Sequence, residues 1–171
     1  MEALYIAQSG KTPLGRFWLA GSEKGLVAVE CGGTEEEFSA LLGRRRKVMV
    51  EPCRDKLDEA SRQLVEYLEG DRREFTLPVD WDVLRPFQRL VLQATFAIPR
   101  GETRTYKEIA IRVGHPRSAR AVGRAEATNP LPIIIPCHRV IGSDGRLVGY
   151  GLGEGLKTKA WLLKLEGVVF V

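Results

Sequence analysis

Residues Thr105–Gly142, TYKEIAIRVGHPRSARAVGRAEATNPLPIIIPCHRVIG, decide the fold of the second half of the chain. Thr105 and Glu108 have the spacing of a capping box, in which each side chain satisfies a free backbone N–H near the helix start, so a helix opens at Tyr106. Gly114 ends it. A second helix, about 116–127, follows at once and stops at Asn129-Pro130. Two short helices joined by a tight Gly-containing turn read as a helix-turn-helix. Many small helical domains contain such a pair without touching DNA. Here the second helix holds Arg117, Arg120 and Arg124 among the small residues Ser118, Ala119, Ala121, Gly123 and Ala125. Small side chains let a helix approach a groove closely, and arginines there can meet phosphates or bases.

Downstream of this pair, LPIIIPCHRVIG (131–142) is apolar and punctuated by prolines, which predicts a rigid, buried path. Cys137 sits in it ahead of His138 and Arg139. Cysteine becomes nucleophilic when nearby positive charge or a base favours its thiolate, and both neighbours can supply that. Adjacent side chains of an extended segment point to opposite sides, so a Cys–His contact requires a turn or a bridging water. Glu166, in the closing helix, is a candidate to orient the imidazole. A Cys-His pair by itself is more often structural than catalytic.

Further outward, PFQRLVLQATFAI (86–98) is apolar over most of its surface, as a central helix would be, and Pro86 suits its first turn. Ser143-Asp144-Gly145 marks a turn, GYGLGEG (149–155) is a Gly-rich loop, and LKTKAWLLKLEG forms the last helix. The first half opens with three strands, ALYIAQS, GRFWLAG and GLVAVEC. A helix follows from Thr34, with Glu35–Glu37 at its positive end and the RRRK run (44–47) at its negative end. VMVE predicts a fourth strand, and a helix over about 55–69 carries Leu57, Leu64, Val65 and Leu68 and stops at Gly70. The fold class is α+β: a sheet-and-helix domain over 1–84, then a mainly helical domain over 85–171 with the helix-turn-helix.

Charge separates the same halves. Residues 1–84 carry a net charge of −4 and residues 85–171 a net charge of +8. The basic half suits a polyanion, although a solubility surface with no partner explains charge alone equally well. The N-terminus shows no secretory signal and no run of about 18 apolar residues exists, so a cytoplasmic protein with no membrane partner is expected. Three cysteines in such a chain argue against a disulfide framework. Cys31 and Cys53 could pair, bind metal or be buried thiols, with buried thiols favoured. The two histidines, His115 and His138, lie far from both in sequence and no CxxC or HxxxH spacing is present, so no metal site is expected.

Taken together, RSARAVGRA followed by NPLPIIIPCHRVIG resembles the O6-alkylguanine-DNA alkyltransferase family, whose signature is the Pro-Cys-His-Arg-Val core. The resemblance is strong over 85–167 and weaker over 1–84. It implies direct, stoichiometric and irreversible transfer of the alkyl group from O6-alkylguanine in DNA, chiefly O6-methylguanine with O4-methylthymine as a further candidate, onto Cys137. His138 would act as base through a water, with Glu166 holding it. Tyr106 would sit against the flipped nucleotide and donate a hydrogen bond to the guanine, Arg120 would fill the vacated place in the stack, and Asn129 would be the hinge between recognition helix and active-site segment. Arg117, Ser118, Ala119, Gly123 and Arg124 would complete the DNA surface, and Val140, Tyr150, Pro132 and Arg139 the substrate pocket. No cofactor is implied; the partner is double-stranded DNA, bound through the minor groove by a monomer.

Each role has a plainer counterpart: Tyr106 as a packing residue, Arg120 as a solvated helix residue, Asn129 as a helix cap, Glu166 as surface charge. Asn129 is nonetheless the sole asparagine of the chain. A non-catalytic lesion-binding module would lack the acceptor cysteine, and a cysteine hydrolase would need an oxyanion motif that is not evident. A DNA-binding regulator would need an extra domain. The chain departs from the family in its GYGLGEGLK loop, which is longer than the usual Gly-Gly segment and carries Glu154, and in lacking the N-terminal histidines that build zinc sites in some relatives.

Overall fold

The computed structural model describes residues 1–169. The chain divides into two compact units, Met1–Val83 and Leu84–Val171. The α+β class expected from sequence holds, with a sheet-and-helix first unit and a mainly helical second unit.

In the first unit, β1 (Glu2–Gln8), β2 (Phe17–Ser22) and β3 (Gly25–Cys31) form an antiparallel meander, and β4 (Val48–Pro52) joins β1 in parallel, giving the order β3-β2-β1-β4. The crossover to a parallel partner needs an intervening element, supplied by α1 (Glu35–Arg45). Thr34 and Glu37 close a full capping box on α1, and Arg44 and Arg45 occupy its last turn, so the charges complement the helix dipole at both ends. Arg46, next in the basic run, pairs with Glu2 at 2.6 Å. The turn into β3 requires glycine at Gly25: its φ is 150°, and a Cβ there would lie 2.6 Å from the Pro78 carbonyl oxygen. One face of the sheet buries Leu4, Ile6, Ala20, Val27 and Ala28 against Phe38 and Leu42 of α1. The helix expected over 55–69 is split, a 3-10 turn at Asp55–Leu57 leading into α2 (Asp58–Leu68).

The second unit holds α3 (Pro86–Phe96), the short β5 (Arg104–Thr105), α4 (Tyr106–Arg112), α5 (Ala119–Ala127), a 3-10 turn at Cys137–Arg139, β6 (Val140–Ile141) and α6 (Leu156–Leu165). Val91, Ile98, Ile109, Ala110, Val122, Ala125 and Val140 form its core, so α3, α4 and α5 pack together with the strand that follows Cys137. The capping box at Thr105 and Glu108 forms as the spacing predicts. Gly114 ends α4 as expected: the helix closes at Arg112 and Gly114 follows the cap in the left-handed region at φ 82°. One boundary differs: α5 begins at Ala119 rather than near 116. Pro116 lies in a turn closed by a hydrogen bond from Ser118 N to His115 O, so Arg117 and Ser118 precede the helix. Nor is α3 a central helix: Leu90 and Phe96 are exposed, and Val91, Leu92 and Thr95 form its buried face.

Cys31 and Cys53 are free thiols and half-buried, not fully buried as expected. Both sit at ends of sheet strands or just beyond, where one side faces solvent. Among the described residues no group of His, Cys, Asp and Glu side chains is arranged to hold a metal ion, and no helix is long and apolar enough to cross a membrane.

Candidate active site

The chain leaves α5 through a bend built by Asn129. Its Oδ1 accepts from Leu131 N at 2.9 Å and its Nδ2 donates to Ile135 O at 3.0 Å, so one amide holds both ends of the Leu131–Ile135 segment. Within the bend, Ile133 takes φ 74° while 1% exposed. A β-branched residue in that region costs about 1–3 kcal/mol, which its burial offsets.

The bend delivers Cys137 to a 3-10 turn, not to extended chain. In such a turn neighbouring side chains fan out over about 120° instead of opposing each other, which puts Cys137 and His138 on adjoining sides. The parallel pairing of Arg104 with Val140 and Thr105 with Ile141 then fixes this turn beside the first turn of α4, where Tyr106 stands.

Cys137 is 8% exposed. Burial pushes its thiol up to about 12, aided by the nearby Glu126 carboxyl and opposed by a hydrogen bond from Asn129 and by the charge of Lys159. Positive neighbours therefore do not make a resting thiolate, contrary to the expectation from His138 and Arg139. The physical reason is that Arg139 points away: its Nε and Nη2 grip Glu166 at 2.9 and 2.7 Å, and its Nη1 donates to Ile98 O at 2.6 Å.

His138 is fully buried, and its Nε2 lies 3.0 Å from Glu166 Oε1. Neither ring nitrogen has an aligned hydrogen bond among the described residues. Burial, with Arg139 next in effect, holds the imidazole well below its usual range. A neutral ring with an open nitrogen can accept a proton, which a protonated ring cannot. Glu166 stands just past the end of α6, as its C-cap. Burial pushes its carboxyl up and the Arg139 guanidinium down to about 10, yet the two-bond fork keeps the pair ionised against that desolvation.

Two functional groups escaped the sequence reading. Lys159, on α6 two turns before Glu166, is fully buried, and its Nζ donates to Val140 O at 2.6 Å, Val148 O at 2.8 Å and Gly149 O at 3.4 Å. It ties the strand after Cys137 to the start of the Gly-rich loop. Tyr106 Oη donates to the same Val148 O at 3.1 Å. Burial raises this phenol to about 12. Glu126, on α5, is 6% exposed and meets Thr95 of α3. The available signals were positional: Lys159 lies three and four residues before the buried Leu162 and Leu163, and Glu126 shares a stripe with Val122 and Ala125.

Of the other expected site residues, Val140 has its side chain in the core and its carbonyl on Lys159, while Tyr150 and Pro132 are half-buried. Arg117, Arg120 and Arg124 are exposed on or just ahead of α5, Ser118 and Ala119 are half-buried at its start, and Gly123 faces the ring of Tyr106.

The chain belongs to the 6-O-methylguanine DNA methyltransferase family: the model for the family's DNA binding domain matches residues 86–168, and that for its ribonuclease-like domain matches residues 2–81. Methylated-DNA–protein-cysteine methyltransferase of Methanosarcina barkeri is 46% identical over 162 residues, covering 91% of this chain and 93% of that protein. The crystal structure of Mycobacterium tuberculosis O6-methylguanine methyltransferase matches with a TM-score of 0.74 at 37% identity, covering 97% of this chain and 93% of that one. Mycobacterium tuberculosis OGT, crystallised in complex with DNA, matches with a TM-score of 0.73 at 38% identity over 96% of this chain and 92% of that one.

Proposed function

We propose that this protein repairs DNA by transferring the alkyl group of O6-alkylguanine, chiefly O6-methylguanine, to Cys137 in a single irreversible turnover. The observation that carries this reading is a buried thiol in the family's Pro-Cys-His-Arg-Val turn, next to a buried imidazole whose Nε2 lies 3.0 Å from Glu166 Oε1. In the reaction Cys137 passes its proton to His138 through a bridging water. Sγ then attacks the saturated alkyl carbon, the S–C bond forms, and the C–O6 bond breaks. The guanine takes up a proton, donated by Tyr106, and the thiol proton replaces it. Atoms balance with no cofactor, and the thioether has no hydrolytic exit, so the protein is consumed.

The target lies inside a duplex and must be extruded before a protein thiol can reach it. Support for the docking face comes from α5, whose exposed Arg120 and Arg124 stand one turn apart, with Arg117 just ahead. We assign this face to the minor groove, with Arg120 entering the vacated stack and Asn129 holding the acceptor segment in place, and the chain to work as a cytoplasmic monomer. Val140, Tyr150, Pro132 and Arg139 remain assigned to the pocket region, Arg139 through its grip on Glu166.

The test is incubation with duplex DNA holding one O6-methylguanine, followed by intact-protein and peptide mass spectra. One methyl group on the Cys137 peptide, guanine restored and no second turnover is the expected result. Folded protein that binds the lesion without acquiring a methyl group overturns it in favour of a recognition module.

A further inference from the structure

Thr95 is fully buried on α3, and its hydroxyl oxygen lies within hydrogen-bond distance of two acceptors, Val91 O at 3.0 Å and Glu126 Oε1. A hydroxyl carries one proton. If Thr95 donates it to Val91 O, the Glu126 contact needs a proton from the carboxyl. The second oxygen, Oε2, is buried with no hydrogen-bond partner. An ionised carboxylate left with a buried, unpartnered oxygen is expensive, whereas a neutral acid donating to Thr95 leaves only a carbonyl oxygen unpaired.

Building on the acceptor role of Cys137, we propose that Glu126 is a positioning residue held as a neutral carboxylic acid by its burial beside Thr95, and that its neutrality permits Cys137 to ionise during alkyl transfer. Its carboxyl bonds Thr95 from α3 and interacts electrostatically with Tyr106 from α4, Cys137 from the 3-10 turn and Lys159 from α6. Among these Lys159 alone is cationic, and its three carbonyl bonds direct it to the loop. Burial pushes Glu126 up to about 8, against the opposite pull of the Thr95 hydroxyl and of the Lys159 charge. A proton lost from Glu126 sets a negative charge beside the nucleophile in the same buried space, where screening by water is weak.

The consequence is a thiol whose reactivity rises with pH and then bends over as Glu126 ionises. Lys159, lowered to about 8 by burial, titrates in the same window, so the contrast between variants isolates Glu126. The experiment follows Cys137 alkylation by iodoacetamide, resolved by peptide mass spectrometry, and methyl transfer from O6-methylguanine duplex, in wild type, Glu126→Gln, Glu126→Met and Thr95→Ser. Between about pH 7 and about pH 9.5 both Glu126 variants should gain about tenfold more iodoacetamide reactivity than wild type, the equivalent of one pKa unit. Thr95→Ser keeps the hydroxyl and the wild-type curve. Infrared difference spectra at neutral pH should show a protonated-carboxyl stretch that Glu126→Gln removes. An equal gain in wild type and both Glu126 variants, or a Glu126 ionised at neutral pH, overturns the proposal. The iodoacetamide readout needs no DNA, so loss of methyl transfer with this contrast intact counts against the repair reading alone.

Discussion

Arg139 binds both carboxylate oxygens of Glu166, and one of them, Oε1, also lies 3.0 Å from His138 Nε2. The carboxylate therefore serves two partners, and the guanidinium keeps it charged and aimed. Arg139→Ala leaves a buried carboxylate without its counter-ion, which costs about 3–5 kcal/mol. Arg139→Lys keeps the charge but loses the planar fork, so it should destabilise less while still slowing methyl transfer. Denaturant unfolding with single-turnover kinetics checks both. Wild-type stability in Arg139→Ala would show that the fork carries none of the site's order.

His138 gives a pH signature. Its folded-state pKa is depressed well below 6.5 by burial, so the folded protein binds fewer protons at this site than the unfolded chain. The stability this contributes is present above about pH 6.5 and is lost as pH falls from there towards the folded value. His138→Asn should flatten that part of the stability curve, read as melting temperature against pH. Methyl transfer should meanwhile keep its base down to pH values below those at which a free imidazole is half protonated.

The split between what the sequence disclosed and what it hid follows from the range of the forces involved. Local chemistry was legible: the capping boxes at Thr34 and Thr105, the glycine stop at Gly70 and the buried proline-punctuated path to Cys137 depend on neighbours a few residues apart. The family resemblance added an expected link between His138 and Glu166, and His138 Nε2 does lie 3.0 Å from Glu166 Oε1. The hidden part was long-range. Arg139 reads as a helper of its neighbour Cys137, but its partners are 41 and 27 residues away, at Ile98 and Glu166. The two-residue pairing of β5 with β6, which sets Tyr106 beside the cysteine turn, is too short to leave a strand pattern. The start of α5 was misplaced because Pro116 suits a helix first turn and an ordinary turn equally well.

Lys159 should behave as the strut of the pocket wall. Lys159→Met preserves length and apolar bulk but removes the donors to Val140 O, Val148 O and Gly149 O. Unpaired buried acceptors cost about 1–3 kcal/mol each where water cannot replace the donor. Val148 and Gly149 are exposed and can recruit water, so the larger loss falls on the buried Val140. The expected result is faster amide exchange across residues 147–150 and slower methyl transfer, with lesion binding reduced less than the rate. Unchanged exchange in that segment would mean that Tyr106 and the glycine turns hold the loop without the lysine.

The exposed arginines of α5 separate affinity from chemistry. Arg124 makes no packing contribution to the core that Val122 and Ala125 enter, so Arg124→Ala should leave the unfolding free energy within about 0.5 kcal/mol of wild type. If its guanidinium meets a phosphate, binding to duplex DNA weakens alike for lesion and undamaged sequences, and the slope of log affinity against log salt falls by about one. Arg120→Ala should act differently, because a side chain that fills the gap left by an extruded base matters only once a base is extruded. Its effect should fall on the rate of methyl transfer from duplex DNA and should shrink on a free O6-methylguanine base, which requires no extrusion. Equal losses on duplex and free base would remove Arg120 from the extrusion step.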